Sequence, residues 1–251
     1  FHNFFANGIV VHNSRSTASS RAIPTAKLID RVRTDAAMPV FWGKNQSGMV
    51  ADNALCDDAV AQCEAIWQET ALFCAQQAER LHAIGLHKQT ANRLIEPFLW
   101  ASTIITATEW DNFFNLRLAH DAQPEIRELA EAMKAAIDNS VPKESRYHLP
   151  YITDDEICTY QKEKGFLSKE VNNATFEHFA PISAARCARV SYLNHDQSEP
   201  DYKKDMELAS RLFQHQHYSP FENQAVAVSE SNLHKTRNFT GWAQYRALIG
   251  G

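Results

Sequence analysis

Cysteine is scarce and unpatterned. Cys56, Cys63, Cys74, Cys158 and Cys187 contain no C-x-x-C pair, which argues against a disulfide framework or a thiolate zinc site and fits a reducing cytosol. Each lies in an apolar or ordinary context, so packing rather than nucleophilic chemistry is expected of them. His-x-x-x-His and His-Glu-x-x-His spacings are missing, so no metal site is expected. No apolar run is long enough to span a bilayer, and the apolar start has neither a basic lead nor a cleavage signature. Only eight glycines are present, and none forms a phosphate-cradling loop, so a Rossmann-type dinucleotide fold is not supported. Basic charge is not in excess: 25 Lys and Arg stand against 30 Asp and Glu, a net of −5. A general nucleic-acid surface is therefore not expected, and basic residues matter locally.

What is present begins with Asn7-Gly8-Ile9-Val10-Val11-His12-Asn13-Ser14. An Asn side-chain amide can attack its own backbone carbonyl, form a succinimide and cut the chain after itself. His12 is the natural proton donor to the leaving amide, and Ser14 supplies a hydroxyl nucleophile across the bond. Gly8 suits a tight turn, and Ile9–Val11 reads as a short strand holding Asn13. Phe1–Ser14 resembles the C-terminal end of an intein, with His12 assisting, Asn13 cyclising and Ser14 as the first extein residue. The alternative is an apolar strand that happens to end in His-Asn. The rest of an intein, including its N-terminal nucleophile, is not in the chain, so it is expected not to splice alone.

The remaining length suits one large domain or two small ones. A helix is expected around Ala22–Val32 despite Pro24, and a structured loop over residues 39–49 (PVFWGKNQSGM). Ala59, Cys63, Ile66, Thr70, Cys74, Ala78 and Leu81 recur at helical spacing, with Gly85 as the stop. A second helical run from Lys88 is interrupted by Pro97. Ser102–Ala107 reads as a strand, and Thr108 with Asp111 as a capping box for a helix over Glu109–Leu118. Pro124 opens another helix with Ile126, Leu129, Ala130, Met133 and Ile137 on one face. Asp201–Gln214 reads as a helix and Ala225–Ser229 as a strand. Residues 139–179 give no clear assignment. The class is α+β with helices dominant and a small antiparallel sheet.

Three arginines stand out. Arg21 follows a run of hydroxyls, Arg93 lies beside Leu94 and Ile95, and Arg117 ends Asn112-Phe-Phe-Asn-Leu-Arg117. A guanidinium in apolar surroundings needs an anion, and its fork of donors suits a phosphate or a uracil edge. For any one of them alone, the competing reading is a surface arginine paired with a carboxylate. Ser19 and Ser20 either cap a turn or donate to a phosphate.

These residues resemble the flavin-dependent thymidylate synthases. Ser14–Arg21 is similar to the second half of that family's signature, Ser19 and Arg21 matching its closing Ser-x-Arg. The opening His-Arg would lie upstream of the intein. Asn112–Arg117 followed by Ala122-Gln123-x-Glu125-Ile126 is similar to its most specific helical block, and Arg93 matches a third family arginine. SSRAIP, FWGKNQSGM, ATEW and AQPEI resemble one subgroup. Ala184–Tyr192 and His217-Tyr-Ser219-Pro-Phe-Glu222 are similar to a segment usually near the family's N-terminus, so the order looks circularly permuted. The chain departs from the pattern at Thr17 (usually acidic), Asp121 (usually His, with His120 beside it) and Asn223 (usually His).

The resemblance implies methylation of dUMP to dTMP with methylene-tetrahydrofolate, FAD and NADPH, in a cytoplasmic homotetramer with sites at subunit interfaces. It assigns Ser19, Ser20, Arg21, Arg93 and Arg117 to dUMP, with Arg117 and Ser19 catalytic. Asn112, His217, Ser219 and Glu222 are assigned to FAD. Residues 1–13 would be an intein remnant and residues 14–251 a synthase-like domain incomplete at its N-terminus, inactive until joined to its missing half. The alternative is a non-catalytic nucleotide- or flavin-binding assembly subunit completed by a partner chain.

Overall fold

A computed structural model describes residues 3–6, 9–12, 15–48, 50–165, 173–191, 194, 198–228 and 239–250. Within it the chain divides into two compact units. One comprises Phe1–Ala18, Ser102–Glu109 and Lys143–Gly251; the other comprises Ser19–Ala101 and Trp110–Pro142.

The second unit is built on two helices, α1 (Thr25–Thr34) and α2 (Asp57–Ala83). Pro24 occupies the N-cap of α1 with φ −58°, a value its ring sets in advance. Asp57 and Asp58 lie in the first turn of α2, where carboxylates suit the positive end of the helix dipole. Ala71, Ala75 and Ala78 are fully buried on α2. Their small side chains let Leu28, Ile29 and Val32 of α1 pack closely, and Ile95 and Phe98 complete this core. Trp67 joins it edge-on to Phe98 and donates from its indole nitrogen to the Ala37 carbonyl at 2.9 Å. Gly85 ends α2 with φ +91°, a left-handed conformation glycine adopts without Cβ strain.

The helical run expected from Lys88 is broken into three pieces. A single turn, α3 (Lys88–Ala91), passes into 3-10 turns at Asn92–Leu94 and Glu96–Phe98. Arg93 therefore sits on a tight turn, not on a continuous helix. Residues 39–48 do form an ordered loop: Gly43 bridges Ala54, and Lys44 N–H donates to the Asn53 carbonyl at 2.7 Å. The unit closes with α4 (Asp111–Arg117) and α5 (Pro124–Asp138). The expected apolar face of α5 is only partly covered: Ala130 is buried, while Leu129 and Ile137 are exposed.

The first unit carries all seven strands of the described residues. β1 (Asn3–Ala6) and β2 (Ile9–His12) pair antiparallel, as do β3 (Arg15–Thr17) and β4 (Thr103–Ile105). β5 (Tyr147–His148), β6 (Ala225–Ala227) and β7 (Trp242–Gln244) form a three-stranded antiparallel sheet in that order. The helices are α6 (Asp154–Glu163), α7 (Asn173–Arg189), α8 (Tyr202–Gln214) and the short α9 (Tyr245–Leu248). Phe176, Phe179, Ala180 and Ile182 of α7 form the core with Leu149. α6 falls within the stretch left unassigned from sequence, although Thr153 and Glu156 form a capping box there with both reciprocal bonds made.

One buried ionic network ties α6, α7 and α8. The Arg186 guanidinium donates to Glu156 at 2.8 and 3.1 Å, to Asp205 at 3.0 Å and to the Tyr151 carbonyl at 2.7 Å. Arg189 reaches the other Asp205 oxygen at 2.7 Å. Burial alone would push the Glu156 carboxyl up, but the Arg186 fork and the Thr153 hydrogen bonds hold it below the usual carboxylate range.

Candidate functional site

The hydroxyl-rich segment ends in a tight turn. Ala22 N–H donates to the Ser19 carbonyl at 2.9 Å and Ile23 N–H to the Ser20 carbonyl at 3.3 Å. Asn92, fully buried, donates its side-chain amide to the Ser20 carbonyl at 2.8 Å and to the Ile23 carbonyl at 3.2 Å. Lys88 donates to the Ala22 carbonyl at 3.0 Å, and the Ser20 hydroxyl donates to the Glu96 carboxylate. Residues 19–23 and 88–96 are thus one hydrogen-bonded assembly. It presents Ser19, Arg21 and Arg93 to solvent.

Neither arginine has a salt-bridge or hydrogen-bond partner among the described residues. Arg117 is half-buried at the end of α4, also without such a partner, and α4 packs against α5. The structure brings Ser19, Ser20, Arg21 and Arg93 together through Asn92, whereas Arg117 is carried on a separate element of the same unit. Asn92, Lys88 and Glu96 were not singled out from sequence. The available signal was a polar Asn between Ala91 and Ile95, both of which are buried.

The expected capping box at Thr108 and Asp111 is not formed. Trp110 is the N-cap of α4, and no side chain caps the helix there. The Thr108 hydroxyl instead accepts from Thr240 N–H at 2.9 Å, and Glu109 accepts from the Thr240 hydroxyl at 2.7 Å. A tertiary partner has won over the local one.

Of the residues assigned to flavin, Asn112 is exposed in the first turn of α4. His217 is exposed in the loop after α8, and Ser219 is exposed at the start of the 3-10 turn Ser219–Glu222. Glu222 differs: it is buried and pairs with Arg246, whose guanidinium lies 5.4 Å from the Tyr218 ring centre. Its neighbour Asn223 is also fully buried. It donates to the Ser16 hydroxyl at 3.1 Å and accepts from Thr106 at 3.2 Å. The imidazole expected by resemblance at 223 is thus replaced by an amide that fastens β3 beside the 3-10 turn. Thr17 is exposed and bonds the Thr103 hydroxyl at 3.1 Å.

The splicing residues are only partly in view. His12 ends β2, and Asn13 and Ser14 lie outside the described residues. Cys187 is buried on α7, its thiol pushed up to about 12 by burial despite hydrogen bonds with Ser183 and Gln224. It is unsuited to thiolate chemistry at neutral pH. No helix among the described residues is long and apolar enough to cross a membrane.

Hydroxyls and guanidinium groups without partners among the described residues are exposed on a hydrogen-bonded turn of an α+β scaffold, a set of donors whose chemistry suits an anion. Comparison with known proteins makes this more specific for part of the chain. Residues 42–143 match the family model described as thymidylate synthase complementing protein (Thy1). The match takes in Arg93, Asn112 and Arg117, and leaves Ser19–Arg21, the segment around Glu222 and the N-terminal hairpin outside it. No curated protein and no solved structure matches the chain.

Proposed function

We propose that the chain is the C-terminal portion of a flavin-dependent thymidylate synthase, preceded by the last residues of an intein. The observation that carries the reading is the hydrogen-bonded pair of turns presenting Ser19, Arg21 and Arg93, the second of which lies within the stretch matching the thymidylate synthase complementing family. Ser19, Arg21 and Arg93 hold the nucleotide phosphate, and Ser20, whose hydroxyl donates to Glu96, serves by holding the turn in place. Arg117 lies against the uracil edge and stabilises the negative charge that builds on the ring as it attacks the methylene carbon of methylene-tetrahydrofolate. Donors fixed by Asn92 need little reorganisation when charge develops, which is where such groups gain most of their effect.

The flavin supplies a hydride delivered by NADPH. Asn112, His217 and Ser219 fit a flavin as exposed residues whose side chains make no hydrogen bond among the described residues. Glu222 fits less directly: it is held by Arg246 and serves by fixing the turn that carries Ser219. By resemblance the enzyme is a homotetramer in which His217 and Ser219 serve a neighbouring subunit's site. His12 protonates the leaving amide while Asn13 cyclises, and Ser14 becomes the residue joined to the upstream half.

The test is reconstitution. The chain is co-produced with an upstream half ending in His-Arg and the complementary intein piece. The joined product should be yellow and should oxidise NADPH only when dUMP is present. Binding of FAD and dUMP with no dTMP formed would favour the assembly-subunit alternative. Failure to bind dUMP at all would reject the synthase reading.

A further inference from the structure

The turns that carry Ser19, Arg21 and Arg93 also carry an acidic group. Glu96 is exposed at the start of the 3-10 turn Glu96–Phe98. Its Oε1 accepts the Ser20 hydroxyl, and Ser20 stands between Ser19 and Arg21 in the chain. Arg93 belongs to the preceding 3-10 turn, Asn92–Leu94. A carboxylate is thus tied into the middle of the groups proposed for the nucleotide.

The neighbouring guanidinium groups do not take it up. Among the described residues Glu96 forms no salt bridge with Arg21 or Arg93. Its Oε2 makes no hydrogen bond there either. An ionised carboxylate only accepts, and the Ser20 hydroxyl fills one of its several lone-pair positions. What Glu96 can still accommodate is a donor. Phosphate oxygens are acceptors and are repelled by it. A hydroxyl on the sugar esterified to that phosphate is a donor, and its hydrogen bond to a charged acceptor is of the stronger kind.

We propose that Glu96 is a specificity-determining residue. Its free carboxylate oxygen accepts the 3′-hydroxyl of a deoxynucleoside monophosphate whose phosphate lies on Ser19, Arg21 and Arg93. The same charge disfavours anions that bring no donor, so one side chain both selects the sugar and rejects bare oxyanions. The inference rests on the thymidylate synthase reading, which places dUMP on these turns.

The experiment is calorimetric titration of the joined product with dUMP, with 2′,3′-dideoxyuridine monophosphate and with inorganic sulfate, which has no proton to donate at neutral pH. The unaltered protein should prefer dUMP to the dideoxy nucleotide by roughly tenfold, the worth of a hydrogen bond to a charged group. Glu96→Gln keeps an acceptor for Ser20 and removes the charge. It should reduce that preference to about threefold while tightening sulfate by roughly threefold or more. A merely loosened turn would weaken every ligand and could not produce the tightening. Ser20→Ala breaks the same bond but keeps the carboxylate, so the preference for dUMP should persist. Equal affinity for the two nucleotides in the unaltered protein overturns the proposal. So does a preference unchanged in Glu96→Gln, a preference lost equally in Ser20→Ala, or sulfate bound no tighter by Glu96→Gln. With dUMP bound, any of these results rejects the role of Glu96 alone. No binding of dUMP rejects the synthase reading and this inference with it.

Discussion

Arg186 shows at one residue how a buried charge is made tolerable. Its fork is shared between Glu156 and Asp205, and Asp205 is itself fully buried. Truncating Arg186 to Ala leaves that carboxylate facing only Arg189. It should cost about 3–5 kcal/mol, the usual penalty for breaking a buried ion pair from one side, read as a fall in the urea midpoint. The same network makes the protein acid-sensitive. The folded Glu156 pKa lies below its ordinary 4.5, so its stabilisation is present above that pH and is lost as pH falls through the folded value. His148 acts in the same direction at higher pH. Crowding of its imidazole lowers its pKa from the ordinary 6.5 although the residue is exposed at its edge, so protonation on acidification favours the unfolded chain. The urea midpoint should therefore decline in two stages, beginning below pH 6.5, and His148→Gln should flatten the first. Thiol labelling gives a third check. At pH 8 the exposed Cys56 and Cys158 should react with a disulfide reagent while Cys187, buried and pushed up to about 12, does not until the protein unfolds.

At the scale of single elements, the capping box of α6 is the clearest case of a local signal with a measurable effect. Thr153→Ala removes the acceptor for Glu156 N–H and loosens the carboxylate that Arg186 also uses. A loss of about 1 kcal/mol is expected from the cap alone, and a double-mutant cycle with Arg186 should show coupling between the two. Helices with periodic apolar residues, proline starts and glycine stops were legible in the sequence: α1, α2, α5 and α8 lie close to where the pattern put them. The residues proposed for the anion, Ser19, Ser20, Arg21, Arg93 and Arg117, are legible in the sequence only as residue types in context. What joins the first four was not, because Asn92 acts across about 70 positions of sequence on backbone carbonyls that every residue possesses. The same reason explains the misread capping box, where Thr240, from far along the chain, takes the Thr108 hydroxyl. The Thr-x-x-Glu signature of α6 stands alone in the sequence, because its apolar content is too low to show a periodic face: none of its residues is buried.

At the scale of the whole molecule, the chain passes between its two units at four points, so neither unit is continuous in sequence. Residues 143–251 produced alone would lack Ser16 and Thr106, the partners of Asn223, and Thr108 and Glu109, the partners of Thr240. This fragment should show poor amide dispersion by NMR and no cooperative melt, whereas the 251-residue chain melts cooperatively. Joined to its upstream half, Asn13→Ala should abolish release of the upstream piece, as judged by mass spectrometry, since no side-chain amide remains to cyclise. Asn92 gives the amide group a second significance. Slow hydrolysis of that one side chain would convert two donors into lone pairs facing two carbonyl oxygens, and the strap across residues 20–23 would repel what it now holds. Deamidation during storage would then act as a silent ageing clock for this surface, loosening the arginine-bearing turns while leaving the size of the protein unaltered.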